Sequence, residues 1–297
     1  ENISFSVNGK LVNGEISDAE VLLASWALNR NIVTQLLPRL PNLKWIHSEM
    51  TGVDHIVSVL QGRNGVFLTN VVNVYSKRIA EFILSLIFMV SKRLPEHIAL
   101  QRRRRWISLP SKELHNATIG IIGLGNIGSE LAKRVKALGM KVIAMDKEPS
   151  NNEAVDIFVA PQQINTLLSQ ADYVVLCCSL NDQTKGMIGK EQLSMMKKDA
   201  YLINVARGAL IQEDFLLFAL REGWMKGACL DVFEDEPLPF NDPFYKMDNV
   251  IITHHSAFNS KEVLLECFDI FLKNLGRYIK KVELINRVSF DLQNAQE

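Results

Sequence analysis

At ~150 residues per domain, a chain of 297 residues suggests about two domains. Hydrophobic residues make up 47% and charged residues 22%, with only 16 Gly and 9 Pro, which excludes a disordered, low-complexity or collagen-like chain. Thirty-three basic residues cancel thirty-three acidic ones, so the net field gives no reason to expect nucleic acid or an anionic membrane as a partner. The longest largely apolar run, residues 82–90 with Ser85 within it, is far short of the ~20 residues a membrane span needs, and no signal peptide is read ahead of the first charged residues. A soluble, cytoplasmic protein is expected.

In chain order, short β-branched runs alternate with helical stretches, the pattern of a parallel sheet covered by helices on both faces. Strands are expected at 21–24, 44–47 and 66–69, then at 118–122, 141–145, 173–178, 200–204, 227–232 and 250–253. Helices between them carry apolar residues at steps of three and four, as in Ile127, Leu131, Val135 and Leu138, with Gly139 where a C-terminal cap belongs. One long helix is expected over about 76–105 and another over about 261–281. Two such helices would link a domain inserted into another, with the C-terminal residues returning to the first.

The four cysteines, Cys177, Cys178, Cys229 and Cys267, show no zinc spacing, so no metal site is expected. Cys177 and Cys178 sit in an apolar run and read as small buried hydrophobes of a reducing compartment.

Gly123, Gly125 and Gly128 form G-x-G-x-x-G between the expected strand 118–122 and a helix. The first glycine permits the tight turn, the second lets the backbone approach a pyrophosphate, and the third lets helix and strand pack closely. Free amide groups and the helix dipole then face the phosphates. Asp146 ends the next strand, 21 residues beyond Gly125, where a carboxylate accepts hydrogen bonds from ribose hydroxyls. A dinucleotide is therefore expected, and Asp146 favours NAD over NADP by repelling an extra phosphate. Lys147 beside it reads as a solvated lysine.

Arg207, Glu236 and His255 each follow an expected strand end, and ligands of an open parallel sheet sit outside those ends. Taken singly, each has a plain structural reading as a loop salt bridge, a solvated acid or a loop histidine. Together beside a nicotinamide they form a hydride-transfer set. A histidine titrates near neutral pH and serves as acid or base, a carboxylate orients it, and a guanidinium fork matches a substrate carboxylate and the reacting carbonyl.

These residues resemble the D-isomer-specific 2-hydroxyacid dehydrogenases, the relatives of glyoxylate/hydroxypyruvate reductase and phosphoglycerate dehydrogenase. Residues 119–128 (IGIIGLGNIG), 204–208 (NVARG), 230–237 (LDVFEDEP) and 252–257 (ITHHSA) carry the resemblance, with Gly52-Val53-Asp54-His55, Ala80-Glu81 and 274–278 (NLGRY). It implies a Rossmann-type doubly wound parallel sheet, residues 76–275 with the linking helices, inserted into a smaller flavodoxin-like α/β domain of residues 1–75 and 276–297, with a cleft between the two. By the same resemblance Arg207 binds the carboxylate and carbonyl of a small 2-keto or 2-hydroxy acid, His255 is the acid/base and Glu236 pairs with it. Gly123, Gly125, Asn126, Ile127, Gly128, Asp146, Ser179, Val205, Ala206 and Asp231 would hold the cofactor, Asp231 at the nicotinamide carboxamide. Thr51 and Gly52 would offer backbone amides to the substrate carboxylate. A homodimer built on the nucleotide domain is also implied.

The chain departs from the family pattern in three places. The threonine-proline-histidine motif reads Thr253-His254-His255, which leaves His254 as a competing candidate for the acid/base. Ser179 stands where proline is frequent. From its start at Glu1 the chain is expected to lack part of the family's first strand and helix, as a trimmed chain or a variant with a smaller outer domain would. Arg102 to Arg105 read as a solvated helix end, and His47 and His97 as structural; His55 follows the Gly52 turn. An NAD(H)-sensing binding protein of the corepressor type, which keeps the same three residues, is the alternative function.

Overall fold

Segments of Val, Ile and Leu too short for helices become strands, and stretches with three- and four-residue apolar spacing become the helices over them. In the computed structural model, residues 6–7, 10–11, 16–25, 30–60, 63, 65–260 and 262–289 are described. The chain divides into two units, residues 1–74 with 260–297, and residues 75–259.

In the first unit, β1 (Ser6–Val7) pairs antiparallel with β2 (Lys10–Leu11). There follow β3 (Val21–Ala24), α1 (Arg30–Leu36), β4 (Trp45–Ser48), α2 (Asp54–Leu60) and β5 (Phe67–Thr69). The last three strands form a parallel sheet in the order β3-β4-β5. Ala24, Leu36, Ile46, Ile56, Leu60 and Leu68 form its core.

The second unit opens with α3 (Ser76–Ser91) and α4 (Leu94–Arg102). The single helix expected over 76–105 is thus broken. Arg93 takes φ +55°, and Pro95 lacks an amide and crowds the carbonyl four residues back. Then come β6 (Thr118–Ile122), α5 (Asn126–Ala137), β7 (Lys141–Met145), β8 (Ile157–Val159), α6 (Ile164–Gln170), β9 (Tyr173–Leu176), α7 (Lys190–Ser194), β10 (Tyr201–Asn204), α8 (Glu213–Arg221), β11 (Gly227–Leu230) and β12 (Val250–Ile252). All seven strands are parallel, in the order β12-β11-β10-β9-β6-β7-β8. The order reverses at β6, where an α/β sheet of this kind binds its ligand. Helix α5 ends at Gly139 with φ +76°, where the Gly139 amide bonds Lys136 O and the Met140 amide bonds Val135 O, the Schellman pattern.

The chain then returns to the first unit through α9 (Val263–Ile279). Lys261, the expected start of this helix, lies outside the described residues, as do residues 290–297 of the expected first domain. The return falls at 260 and not at 276. The reason is that α9 packs on the first sheet: Trp45 stacks on Phe271 and Tyr278 at centroid distances of 5.6 and 5.4 Å, and the Cys267 thiol lies 3.7 Å from Glu49 O. The linking helix belongs with the smaller unit.

Register aligns the carboxyl ends of the large sheet. Val159, Met145, Ile122, Leu176, Asn204, Leu230 and Ile252 form one row across it. Arg207 and His255 follow this row by three residues and Glu236 by six, and Gly123 and Asp146 by one.

Candidate active site

At the switch point the three glycines of the loop stand in distinct local environments. Gly123 takes φ +98°, and a Cβ there would lie 2.5 Å from Cys178 N. A Cβ at Gly128 would lie 2.1 Å from Gly123 O, so helix α5 can close onto the loop only at glycine. Above Gly125 nothing lies within 4 Å of a Cβ position. That open space faces the start of α5, whose first amides, those of Asn126 and Ile127 among them, have no intrahelical acceptor by helix geometry. The residues fit a dinucleotide pyrophosphate.

Asp146 stands at the end of β7 and reaches back to this loop, its Oδ2 accepting from Leu124 N at 2.6 Å and its Oδ1 from Lys147 N at 2.7 Å. Its carboxylate therefore holds the glycine turn as well as standing at the position expected for the ribose. Ser179 is exposed, and its carbonyl accepts from the Thr184 hydroxyl at 2.8 Å. Expected strand 173–178 ends at Leu176, so Cys177 and Cys178 fall in the loop after it, partly exposed and not fully buried as read from the sequence. Burial still pushes the Cys178 thiol up to about 11, which keeps it protonated.

The other side of the row is built from three loops. After β10, Asn204 is fully buried and ties the turn together, its Oδ1 accepting from Ala206 N at 3.1 Å and its Nδ2 donating to Arg207 O at 2.8 Å. Such Asx bridging presets the loop that carries Val205, Ala206 and Arg207. Gly208 comes next, and a Cβ there would lie 1.9 Å from the Phe233 carbonyl carbon. The Arg207 loop and the Glu236 loop are in backbone contact.

Glu236 is turned back by its own loop, with Oε1 accepting from Phe233 N at 3.0 Å. Its Oε2 lies 2.7 Å from His255 Nδ1. Partial burial raises the carboxyl pKa, but the His255 hydrogen bond, the Phe233 amide and the charges of His255 and Arg207 outweigh it and leave the group below the ordinary range. An ionised carboxylate only accepts, so His255 donates from Nδ1, and its Nε2 is the atom available to a substrate. His255, not His254, meets Glu236; His254 is exposed. Phe258 packs its ring edge against the imidazole at 6.0 Å.

Asp231 is 1% exposed and both its oxygens are engaged by the loop at 253–257. Asn204, Thr253 and Phe258 were not singled out as site residues from the sequence. The signal for Asn204 was present, since an asparagine two residues before a loop amide is an Asx-turn pattern. In the first unit, Thr51 follows β4 and donates its hydroxyl to Val71 O at 2.9 Å, while its carbonyl accepts from Asn70 Nδ2 at 2.8 Å. Gly52 follows in that pinned turn. His47, read from the sequence as structural, is buried with its Nδ1 2.7 Å from Thr69 Oγ1. Among the described residues no group of three or more His, Cys, Asp or Glu side chains is placed to hold a metal, and no helix is long and apolar enough to cross a membrane.

Residues 84–257 match the family model for the D-isomer specific 2-hydroxyacid dehydrogenase, NAD binding domain. The chain is 36% identical over 272 residues to a glyoxylate reductase of Thermofilum pendens, covering 89% of this chain and 80% of that protein. It is similar to D-lactate dehydrogenase from Aquifex aeolicus complexed with NAD and lactic acid, with a TM-score of 0.82, 28% identity and coverage of 93% and 89%. It is equally similar in fold to an NADPH-dependent glyoxylate/hydroxypyruvate reductase from Sinorhizobium meliloti in complex with NADP and sulfate, with a TM-score of 0.82, 26% identity and coverage of 93% and 86%. The chain belongs to the D-isomer specific 2-hydroxyacid dehydrogenase family, oxidoreductases that use NAD(P) and act on small 2-keto or 2-hydroxy acids.

Proposed function

We propose that this protein transfers a hydride between NAD(H) and a small 2-keto or D-2-hydroxy acid, with His255 as acid/base, Glu236 as its partner and Arg207 as the substrate anchor. The observation that supports this most directly is the Glu236–His255 pair, 2.7 Å apart and within the field of Arg207, on loops from the same row of strand ends as the glycine loop. NAD(H) supplies or takes the hydride when bound. Arg207, whose Nη1 also donates to Ala206 O at 2.8 Å, is assigned the substrate carboxylate and, beside it, the carbonyl oxygen, which a planar guanidinium matches. Its charge stabilises the negative oxygen that develops, an effect worth about 3–4 kcal/mol in comparable sites. In reduction His255 gives the Nε2 proton to that oxygen and is left neutral; in oxidation the neutral Nε2 takes the hydroxyl proton. Glu236 holds the ring by Nδ1 through both states, so the proton transfer needs no reorientation of the imidazole.

Asp146 supports NAD as the preferred cofactor, because its carboxylate stands where an added phosphate would be repelled. Thr51 and Gly52 belong to this proposal as donors to the substrate carboxylate. The name of the Thermofilum pendens relative supports a substrate as small as glyoxylate. A homodimer completes the reading: α4 buries none of its residues, Leu94 and Ile98 on it are exposed, and Trp106 beyond it is fully exposed, which suits a surface covered by a second copy. A monomeric mass in solution would remove that part. No observation favours the corepressor-type alternative.

The experiment is NADH oxidation by the purified protein over a panel that includes glyoxylate, hydroxypyruvate and pyruvate. Turnover is expected with at least one, and His255→Asn is expected to lower kcat by about two orders of magnitude while NADH still binds. An inert panel with the cofactor bound would falsify the reading.

A further inference from the structure

His255 occupies the left-handed region, φ +49°, which few residues with a Cβ adopt without support from their surroundings. The support comes from the end of β11. The backbone carbonyl of Asp231 accepts from His255 N at 2.7 Å. Its Oδ1 accepts from the Thr253 hydroxyl at 2.5 Å and from Ser256 N at 3.0 Å, and its Oδ2 accepts from Ala257 N at 3.0 Å. One buried residue thus binds the loop on both sides of the histidine and at the histidine itself. The position before His255 is His254, whose backbone has none of the torsional restriction that a proline ring would impose.

We propose that Thr253 and Asp231 are positioning residues for His255, their hydroxyl–carboxylate bond fixing the left-handed turn that aims the imidazole at Glu236. Asp231 is an acceptor on both oxygens, and the donors it serves come from a loop 22 to 26 residues further along the chain. Only one of those donors, the Thr253 hydroxyl, is a side chain, so it is the point at which the clamp can be cut without touching a backbone amide. Removing it leaves Oδ1 with Ser256 N alone and Thr253 held by its backbone amide, which donates to Leu230 O at 3.0 Å. The inference rests on the reading of His255 as the acid/base.

Thr253→Val keeps the shape and removes the donor, and Thr253→Ser keeps the donor and removes the methyl group. With NADH and the best keto acid, Thr253→Val is expected to lower kcat about tenfold, because small misplacements of a reacting group are costly. KM for the keto acid and NADH affinity stay within about twofold of the parent, and Thr253→Ser recovers kcat to within about twofold. An unchanged kcat in Thr253→Val overturns the proposal, as does a Thr253→Ser variant as slow as Thr253→Val, which would assign the effect to methyl packing. A loss of NADH affinity in parallel with kcat also overturns it, since the residue would then support the fold or the cofactor site. His255→Asn measured alongside separates the two levels. If it turns over like the parent, the acid/base reading fails; if it is slow and Thr253→Val is not, only the clamp fails.

Discussion

His47 gives a prediction about stability that is independent of turnover. It is fully buried on β4, and Thr69 Oγ1, 2.7 Å from its Nδ1, also accepts from Trp45 Nε1 at 2.8 Å. The Thr69 hydroxyl, accepting from the indole, keeps one proton and one lone pair for Nδ1, so the neutral ring is bonded there in either tautomer and Nε2 is left over. That Nε2 has no hydrogen-bond partner among the described residues. Protonating the ring would leave a buried Nε2–H unpaired and place a charge between the rings of Trp45 and Phe271, 5.9 and 5.6 Å away. Burial accordingly lowers the imidazole from 6.5 to about 4. The unfolded chain binds this proton near pH 6.5 and the folded chain only near 4, so stability is complete above about 6.5 and is lost progressively as pH falls toward 4. At about 1.4 kcal/mol per unit, the loss is about 2 kcal/mol at pH 5 and about 3 kcal/mol at its limit. Urea unfolding followed by tryptophan fluorescence at pH 8 and pH 5, on the parent and on His47→Leu, isolates the contribution. Carboxylates such as Glu20 and Glu49 titrate in both proteins and cancel. The parent is expected to lose about 2 kcal/mol more than the variant between the two pH values. An equal loss in both would refute the assignment of a neutral, proton-excluding His47.

The loops and the cofactor side give two more tests. Gly208→Ala places a methyl group 1.9 Å from the Phe233 carbonyl carbon and 2.2 Å from Glu234 N, both backbone atoms, so the Arg207 and Glu236 loops must separate. Turnover is expected to fall about 100-fold and stability by about 2 kcal/mol, by kinetics and thermal unfolding, and a fully active variant would contradict the backbone contact. Asp146→Ser removes the carboxylate that, on the proposed reading, repels the added phosphate of NADP. The ratio of kcat/KM with NADPH to that with NADH should rise about tenfold, since like-charge contacts cost this much or more. An unchanged ratio would mean that the oxygens bound by Leu124 N and Lys147 N serve the glycine turn alone.

The fold was most legible where burial on both faces leaves a continuous apolar run. Strands 118–122 and 141–145 end where the sequence reading ends them, because Ile119 to Ile122 and Val142 to Met145 are enclosed between neighbours. The reading overran at 173–178, since two cysteines are apolar enough to prolong a strand that stops at Leu176 on the common row. It missed β8, a three-residue edge strand of which only Val159 is buried. Residues 76–105 read as one helix, which breaks ahead of Pro95 between α3 and α4, and α9 groups with the smaller unit where the sequence pattern places the boundary at 276. That grouping depends on Trp45, Phe271 and Tyr278 meeting across more than 200 residues of chain, which no local pattern reveals. The site follows the same division. Arg207, Glu236 and His255 are visible as residue types after strand ends, and the bonds from Asn204 and Phe233 N are local to their own loops, whereas those from Asp231 to the His255 loop exist because β11 and β12 are neighbours.

Those supporting bonds explain how loops of unequal length reach one place. Arg207 and His255 stand three residues past the row and need tight turns, one bridged by the Asn204 side chain and one held at φ +49° by Asp231. Glu236 stands six residues past it, and the longer loop is folded back by its own amide at Phe233 and by Glu213 Oε1, which accepts from Glu234 N at 2.7 Å. Gly208, without a Cβ, lets the first and the third of these turns touch through backbone atoms. The placing of guanidinium, carboxylate and imidazole is therefore set by how the loops are held at the end of the parallel sheet, through backbone contacts at Gly208 and His255 and through the buried Asn204 and Asp231 side chains. Substitutions at Asn204, Gly208 and Thr253, which bear no charge, should on this account disturb turnover more than changes at exposed charged residues elsewhere on the unit.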